Sequence, residues 1–290
     1  MRLIDKLFLG FLVVAGTVAA IRGPQRPAAW WAFGAYVLLA AMVLLLSRPG
    51  LGVFGRALRE VYPLLLLVPI YSSLDLLNGV DQVRVYDGMV RAWEQNIFGS
   101  QVSQTWWQAN PSRFLSTLFH LSYFSYYLII PLPLVWFAVT RDAASLRRSV
   151  LIIFATFLTC YLWFILFPVA GPYYEFPRPA PWFVDNYPAR LVYATLSTGS
   201  SYGAAFPSSH VAGTVAAALS GWLGSRRLGL LLLVPTVLLT IGVVYAQMHY
   251  AVDALAGALL GIIVSFLLAR LTQDRRLESR PTHSQSYSAR

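Results

Sequence analysis

The sequence predicts an all-α fold: a polytopic transmembrane helical bundle of about eight spans, with an interfacial helix around residues 85–110. Three observations predict it. Mean hydropathy is +0.60, only 12% of the 290 residues are charged, and the apolar residues gather into long runs. A soluble globule of this size needs more polar surface than that. A helix needs about 20 apolar residues to cross the hydrocarbon core, and the runs approach that length.

In chain order, the first run (5–21) follows Arg2 and Lys6, the basic start that a signal peptide also has. It lacks a convincing small-residue cleavage site, and a second run (28–47) follows closely, so a retained helix is expected. The third run, 58–77, has Asp75 near its end. The mixed segment 78–114 carries Asp81, Arg84, Asp87, Arg91 and Glu94 among Trp93, Trp106 and Trp107, a pattern that suits an interfacial helix rather than a span. Further runs occupy 115–139, 148–169, 207–224, 228–247 and 250–270. The polar end, with Pro281, His283 and several serines, reads as disordered. The expected organisation is therefore two N-terminal helices (1–57), a core (58–271) and a tail (272–290).

The net charge of +10 does not point to nucleic acid, because the basic residues sit in short clusters between apolar runs. That is how cytoplasmic loops of membrane proteins look. With eight spans and the N-terminus inside, 15 of the 22 basic residues fall on the cytoplasmic side, among them Arg2, Lys6, Arg147, Arg148, Arg226, Arg227, Arg280 and Arg290. The other face keeps Arg22, Arg26, Arg84, Arg91, Arg113, Arg178 and Arg190. A multi-pass protein of the cell membrane with both termini cytoplasmic is expected, and the 170–206 loop and the turn near 248 then share the outer face. The single cysteine, Cys160, lies inside an apolar run, which leaves no intramolecular disulfide and no cysteine metal site.

Two short patterns look chemical. Phe206-Pro207-Ser208-Ser209-His210 opens the sixth run, and His249-Tyr250-Ala251-Val252-Asp253 opens the eighth. The intervening helix pair returns the chain to the depth it left, so His210 and His249 are expected together. Proline in a first turn followed by serines makes a good helix opening, and the amides there form an anion site. His249 and Asp253, four apart, share one helical face. A carboxylate on one ring nitrogen fixes the tautomer and leaves the other nitrogen to attack. A second histidine can serve as general acid, and the whole makes a phosphoryl-transfer set. The stripe Asp253, Gly257, Gly261 predicts close helix approach, as does Gly213, Ala217, Gly221 after His210, so the two helices are expected to pack together.

At these residues the sequence resembles the type 2 phosphatidic acid phosphatase superfamily. Pro207-Ser208-Ser209-His210 is similar to that family's Pro-Ser-Gly-His motif, and His249 with Asp253 to its His-x-x-x-Asp motif. The resemblance covers about residues 58–270 and implies a six-helix core preceded by two added helices. It also implies roles: His249 as nucleophile forming a phosphohistidine, Asp253 as its support, His210 as acid, and Ser208 and the Ser209 amide on the phosphate. The family's first-motif lysine is replaced by Gly171 and the arginine before the last histidine by Val243, while Arg178-Pro179 matches the end of the first motif. Arg178 is thus the substitute phosphate clamp. The missing cations and His-Tyr-x-x-Asp resemble most the inositol phosphorylceramide synthase-like branch, as do Phe167-Pro168, Gly171-Pro172 and the aromatic segment His120–Tyr127.

The resemblance implies action on a lipid phosphate or pyrophosphate at the extracytoplasmic face, without metal or cofactor, with water or a hydroxylated acceptor taking the phosphoryl group. Two other readings of the residues stay open. One is a transporter or scaffold whose histidines and aspartate relay protons or pack. The other is an inactive relative that binds lipid. His120 reads as a core histidine, and Tyr173, Tyr174 and Trp182 as interface anchors.

Overall fold

The computed structural model describes residues 1–80 and 83–278; Asp81, Arg280, Pro281, His283 and Arg290 lie outside the described residues. It is all helical apart from one isolated parallel bridge, Val169 to Ala204. The first three helices are α1 (Leu3–Arg22), α2 (Ala28–Leu46) and α3 (Val53–Leu77). Arg22, expected among the sparse charges of one face, instead reaches inward from the end of α1. Its guanidinium donates to Asn78 Oδ1 at 2.5 Å and to the Ile165 carbonyl at 2.8 Å, tying α1 to the ends of two other helices.

The interfacial segment forms two helices, α4 (Asp87–Phe98) and α5 (Val102–Ala109), rather than one. Gly99 ends α4 with φ +72, the left-handed cap that glycine adopts without strain. The next span is broken into α6 (Arg113–Phe124), α7 (Tyr126–Ile129) and α8 (Leu132–Val139). Ser125 bonds back to the Ser122 carbonyl at the first break, and Pro131 and Pro133, which cannot continue the ladder, accompany the second. Helix α9 (Ala143–Leu166) begins where Asp142 accepts the Ser145 amide at 3.0 Å. The 170–206 stretch, read from sequence as a loop, holds α10 (Pro172–Glu175), α11 (Pro181–Val184) and α12 (Tyr187–Gly199). Asn186 caps α12 by accepting the Ala189 amide at 2.9 Å, just before Pro188.

The chain closes with α13 (Ser209–Gly224), α14 (Arg226–Tyr245) and α15 (Ala251–Glu278). Helix α15 continues past Thr272, where the sequence reading began the tail. Among the described residues seven of the about eight expected spans are helical segments long and apolar enough by themselves to cross a membrane. The exception is α13, whose 16 residues span only about 24 Å. It packs against α9, α14 and α15. Facing protein rather than lipid, it has no need to match the hydrocarbon thickness.

The predicted pairing of α13 with α15 is present, but through a different face of α13. A methyl on Gly257 would stand 2.4 Å from the Ser208 carbonyl oxygen, and one on Gly261 2.6 Å from that of Ala212. The stripe after His210 points elsewhere: Gly213 abuts Phe157 and Ile130, and Gly221 abuts Leu228 and Leu232. Small residues occur on several faces of α13 because helices pack against it on several sides.

Candidate active site

The start of α15 organises the site. Asp253 is the third residue of that helix and reaches back, its Oδ2 accepting the Tyr250 amide at 2.9 Å. This is the returning half of a capping box. The same oxygen lies 3.5 Å from His249 Nδ1, a contact that orients the ring without a short hydrogen bond. His249 sits in the turn between α14 and α15, where the Val243 carbonyl accepts the amides of Met248 and His249 at 2.9 and 3.0 Å. Gln247, at φ +60, pins that turn: Trp107 Nε1 donates to its Oε1 and its Nε2 donates to the Pro177 carbonyl, each at 2.9 Å.

The start of α13 brings the second histidine. Pro207 precedes the cap rather than occupying the first turn as the sequence suggested, and Ser208 is the capping residue. Its Oγ accepts the Val211 amide at 3.4 Å, and its own amide donates to the Asp253 carbonyl at 3.0 Å. This bond joins the starts of α13 and α15. The His210 and His249 rings lie 5.8 Å apart, centroid to centroid. His210 also rests between Tyr123 and Tyr126, at 4.6 and 4.5 Å, tyrosines that flank the α6–α7 break.

His249 is 5% exposed and Asp253 fully buried. Burial and the neighbouring His210 hold His249 below the ordinary imidazole range, against a backbone contact with Ala205 that favours the charged form. Burial thus favours the neutral ring. His210 Nδ1, His249 Nδ1 and Asp253 Oδ1 are buried without hydrogen-bond partners. Each such atom costs about 1–3 kcal/mol. Both histidines line a narrow cavity of about 50 Å³, walled also by Tyr71, Tyr123, Tyr173 and Tyr174. A larger cavity of about 580 Å³ lies near the starts of α1 and α9 and includes neither histidine. Among the described residues no group of three or more His, Cys, Asp or Glu is arranged to hold a metal ion.

The structure therefore brings His210, His249, Asp253 and Ser208 together, with the buried Ser209 beginning α13 beside them. The Ser208 hydroxyl is spent on capping. Among the described residues the Ser209 and His210 amides have no partner outside the helix. Arg178 stands one ring away from the histidines. It is exposed, its guanidinium lies 4.1 Å over the Tyr173 ring, and it donates to the Tyr173 hydroxyl at 2.9 Å. Tyr173 lines the cavity and Arg178 does not. His120 is a core histidine, as expected: it is buried, with Nδ1 2.8 Å from the Ser116 carbonyl.

The two missing family cations have a steric explanation. Gly171 has φ +91, and a Cβ there would stand 2.8 Å from the Ala205 methyl. Val243 is fully buried. A side chain at Gly171 would meet both a strained backbone and Ala205, and a cation at 243 would have to be buried.

Sequence reasoning missed Asp87 and Glu94, which it assigned to an interfacial surface. Both are buried. Asp87 accepts the amides of Ala170 and Gly171 at 2.7 and 2.8 Å and the Tyr250 hydroxyl at 3.0 Å. Glu94 accepts the Ala251 amide at 2.8 Å. Burial pushes the Glu94 carboxyl above its usual range, and backbone amides of Ser103, Val252, Ala251 and Val102 oppose the shift. The available signal was their seven-residue spacing on an amphipathic helix, which puts both acids on one face.

A family model described as the PAP2 superfamily matches residues 92–267, a range that contains both histidines, Asp253, both serines and Arg178. No curated protein and no solved structure matches the chain.

Proposed function

The chain belongs to the PAP2 superfamily, whose members are lipid phosphatase-like, and from that membership we propose that it transfers a phosphoryl group from a lipid-linked phosphate through His249. One observation carries this reading. Three polar atoms of His210, His249 and Asp253 are buried without partners beside a cavity. A purely structural cluster would satisfy them, and with His249 Nδ1 turned to Asp253 Oδ2 at 3.5 Å the other ring nitrogen is the one left to meet phosphorus.

His249, oriented by Asp253, attacks phosphorus as the bond to the leaving oxygen breaks. His210 delivers its proton to that oxygen. Water or an alcohol then attacks the phosphohistidine and returns a proton to His210. The amides of Ser209 and His210, at the positive end of α13, hold the phosphoryl oxygens, and Arg178 supplies charge from the rim. These residues carry the roles without a metal or cofactor. The substrate head group enters from the bilayer while its chains stay in lipid, the site facing outward and both termini cytoplasmic, a topology in which the short α13 crosses beside the seven longer helices. Residues 58–271 form the working core, with α1 and α2 as additions to it and the last residues as a tail.

A second reading, head-group transfer in the manner of the inositol phosphorylceramide synthase-like branch, is favoured by the closed positions Gly171 and Val243. A phosphomonoester carries about −1.5 to −2 at neutral pH, and a phosphodiester carries one charge fewer. A pocket with few cations suits the diester. Purified protein assayed on lipid phosphates, pyrophosphates and phosphodiesters, with and without alcohol acceptors, tests both. Free phosphate as the product supports hydrolysis, and an acceptor-dependent product supports transfer. Folded protein that consumes none of them overturns the enzymatic reading and leaves a lipid-binding scaffold or transporter.

A further inference from the structure

Glu94 of α4 lies 157 positions from the helix start it touches. Its side chain is fully buried, and its two oxygens face two different helices. Oε2 accepts the Ala251 amide of α15 at 2.8 Å, and Oε1 faces the Ser103 amide of α5 at 3.5 Å. The backbone of Val252 and of Val102 contributes from the same two helix starts. One carboxylate thus sits between the positive ends of two helices, the favourable place for a negative charge. The first turn of α15 carries Asp253, and the residue before Tyr250 is His249. Asp87, seven residues earlier on α4, holds the Tyr250 hydroxyl and the 170–171 amides.

This arrangement decides where an anion can bind. Asp253 takes the Tyr250 amide and Glu94 the next, so the start of α15 is already filled by protein carboxylates. The start of α13 is not. We propose that Glu94 is a positioning residue: it locks the first turn of α15 to α5, fixes His249 and Asp253 against His210, and leaves the phosphate only the α13 amides. The catalytic consequence rests on the phosphoryl-transfer reading; the lock itself does not.

Glu94→Gln tests it, because glutamine keeps the size but offers one acceptor where the carboxylate offers two. The expected result is a kcat reduced about 10–100-fold, as for small misplacement of reacting groups, with KM and inhibition by inorganic phosphate within about threefold, since α13 is untouched. Backbone amide exchange should quicken in 250–253 and 102–104 while the rest of the bundle keeps its protection. Where Glu94→Gln gives no folded protein, Glu94→Asp, shorter by one methylene, is expected to show the same split. Unchanged exchange at those two segments overturns the lock. Equal loss of kcat and of phosphate inhibition overturns the positioning role and leaves general support of the pocket. If the wild type proves inactive on every lipid phosphate, the exchange result still decides the lock, and only the catalytic reading falls.

Discussion

Replacing Gly257 by alanine adds one methyl group at the contact between the helices that carry His210 and Asp253. That methyl would lie 2.4 Å from the Ser208 carbonyl oxygen, where ordinary contact begins near 3.4 Å. Both near atoms are backbone, so no side chain can swing aside, and the helices must part by about 1 Å. The Ser208 amide bond to the Asp253 carbonyl, now 3.0 Å, would stretch to about 4 Å and be lost, at about 1 kcal/mol. Overpacking adds about 1–3 kcal/mol, and the better helix propensity of alanine returns about 1. The net destabilisation is about 1–3 kcal/mol, which the fold can absorb. Catalysis cannot absorb it as easily, because His210 rides on α13 while Asp253 rides on α15. A 1 Å misplacement can cost about 100-fold. Initial rates on a lipid phosphate in detergent, with monodispersity checked by size exclusion, are expected to show kcat/KM down about 100-fold in a folded protein. Gly34→Ala, where nothing lies within 4 Å, should keep the wild-type rate. A folded Gly257→Ala protein within threefold of wild type would refute the idea that this helix contact sets the site.

Two further outcomes follow from the same geometry. Gly171→Lys, which writes the family's lysine back into the first motif, is expected to lower the yield of folded protein and the rate of phosphate release, because the backbone there has φ +91 and Ala205 fills the space; higher activity would contradict the steric account. The pH dependence is set by His249, whose folded pKa lies below its unfolded value of about 6.5. Between those two values the unfolded chain binds more protons, so stability is present above about pH 6.5 and falls as pH drops below it, by up to about 1.4 kcal/mol per unit. Melting temperature should therefore decline from pH 7 to 5 and decline less in His249→Gln. The acid limb of kcat/KM should lie below about 6.5; a midpoint at 7 or above would show that the histidine is not held neutral.

The candidate site was legible because its pattern is local. His249 and Asp253 are one helical turn apart, and Ser208 announces a helix start by its own capping chemistry, so neighbours in sequence are neighbours in space. Asp87 and Glu94 were read as interfacial charges because their burial depends largely on partners 83 to 163 positions away. Nothing in a window around them reports that a helix start will supply the amides that make burial tolerable. Tyr123 and Tyr126 were visible as an aromatic segment, but only the break at Ser125 turns both toward His210. The run at 207–224 reads like the other spans, but α13 is shorter than they are and packs against protein on several sides. That Gly171 and Val243 stand where the resemblance expects cations was legible in the sequence. The reason, a left-handed glycine against Ala205 and a buried valine, is a property of packing and not of the motif.

In the proposed reaction His249 carries the phosphoryl group. Brief reaction with a ³²P-labelled lipid phosphate, followed by alkaline quench and peptide mapping, tests it most directly. The account predicts base-stable, acid-labile label on the peptide containing His249, formed at least as fast as turnover and absent from His249→Ala. Turnover with no labelled protein, or label on another residue, would contradict it.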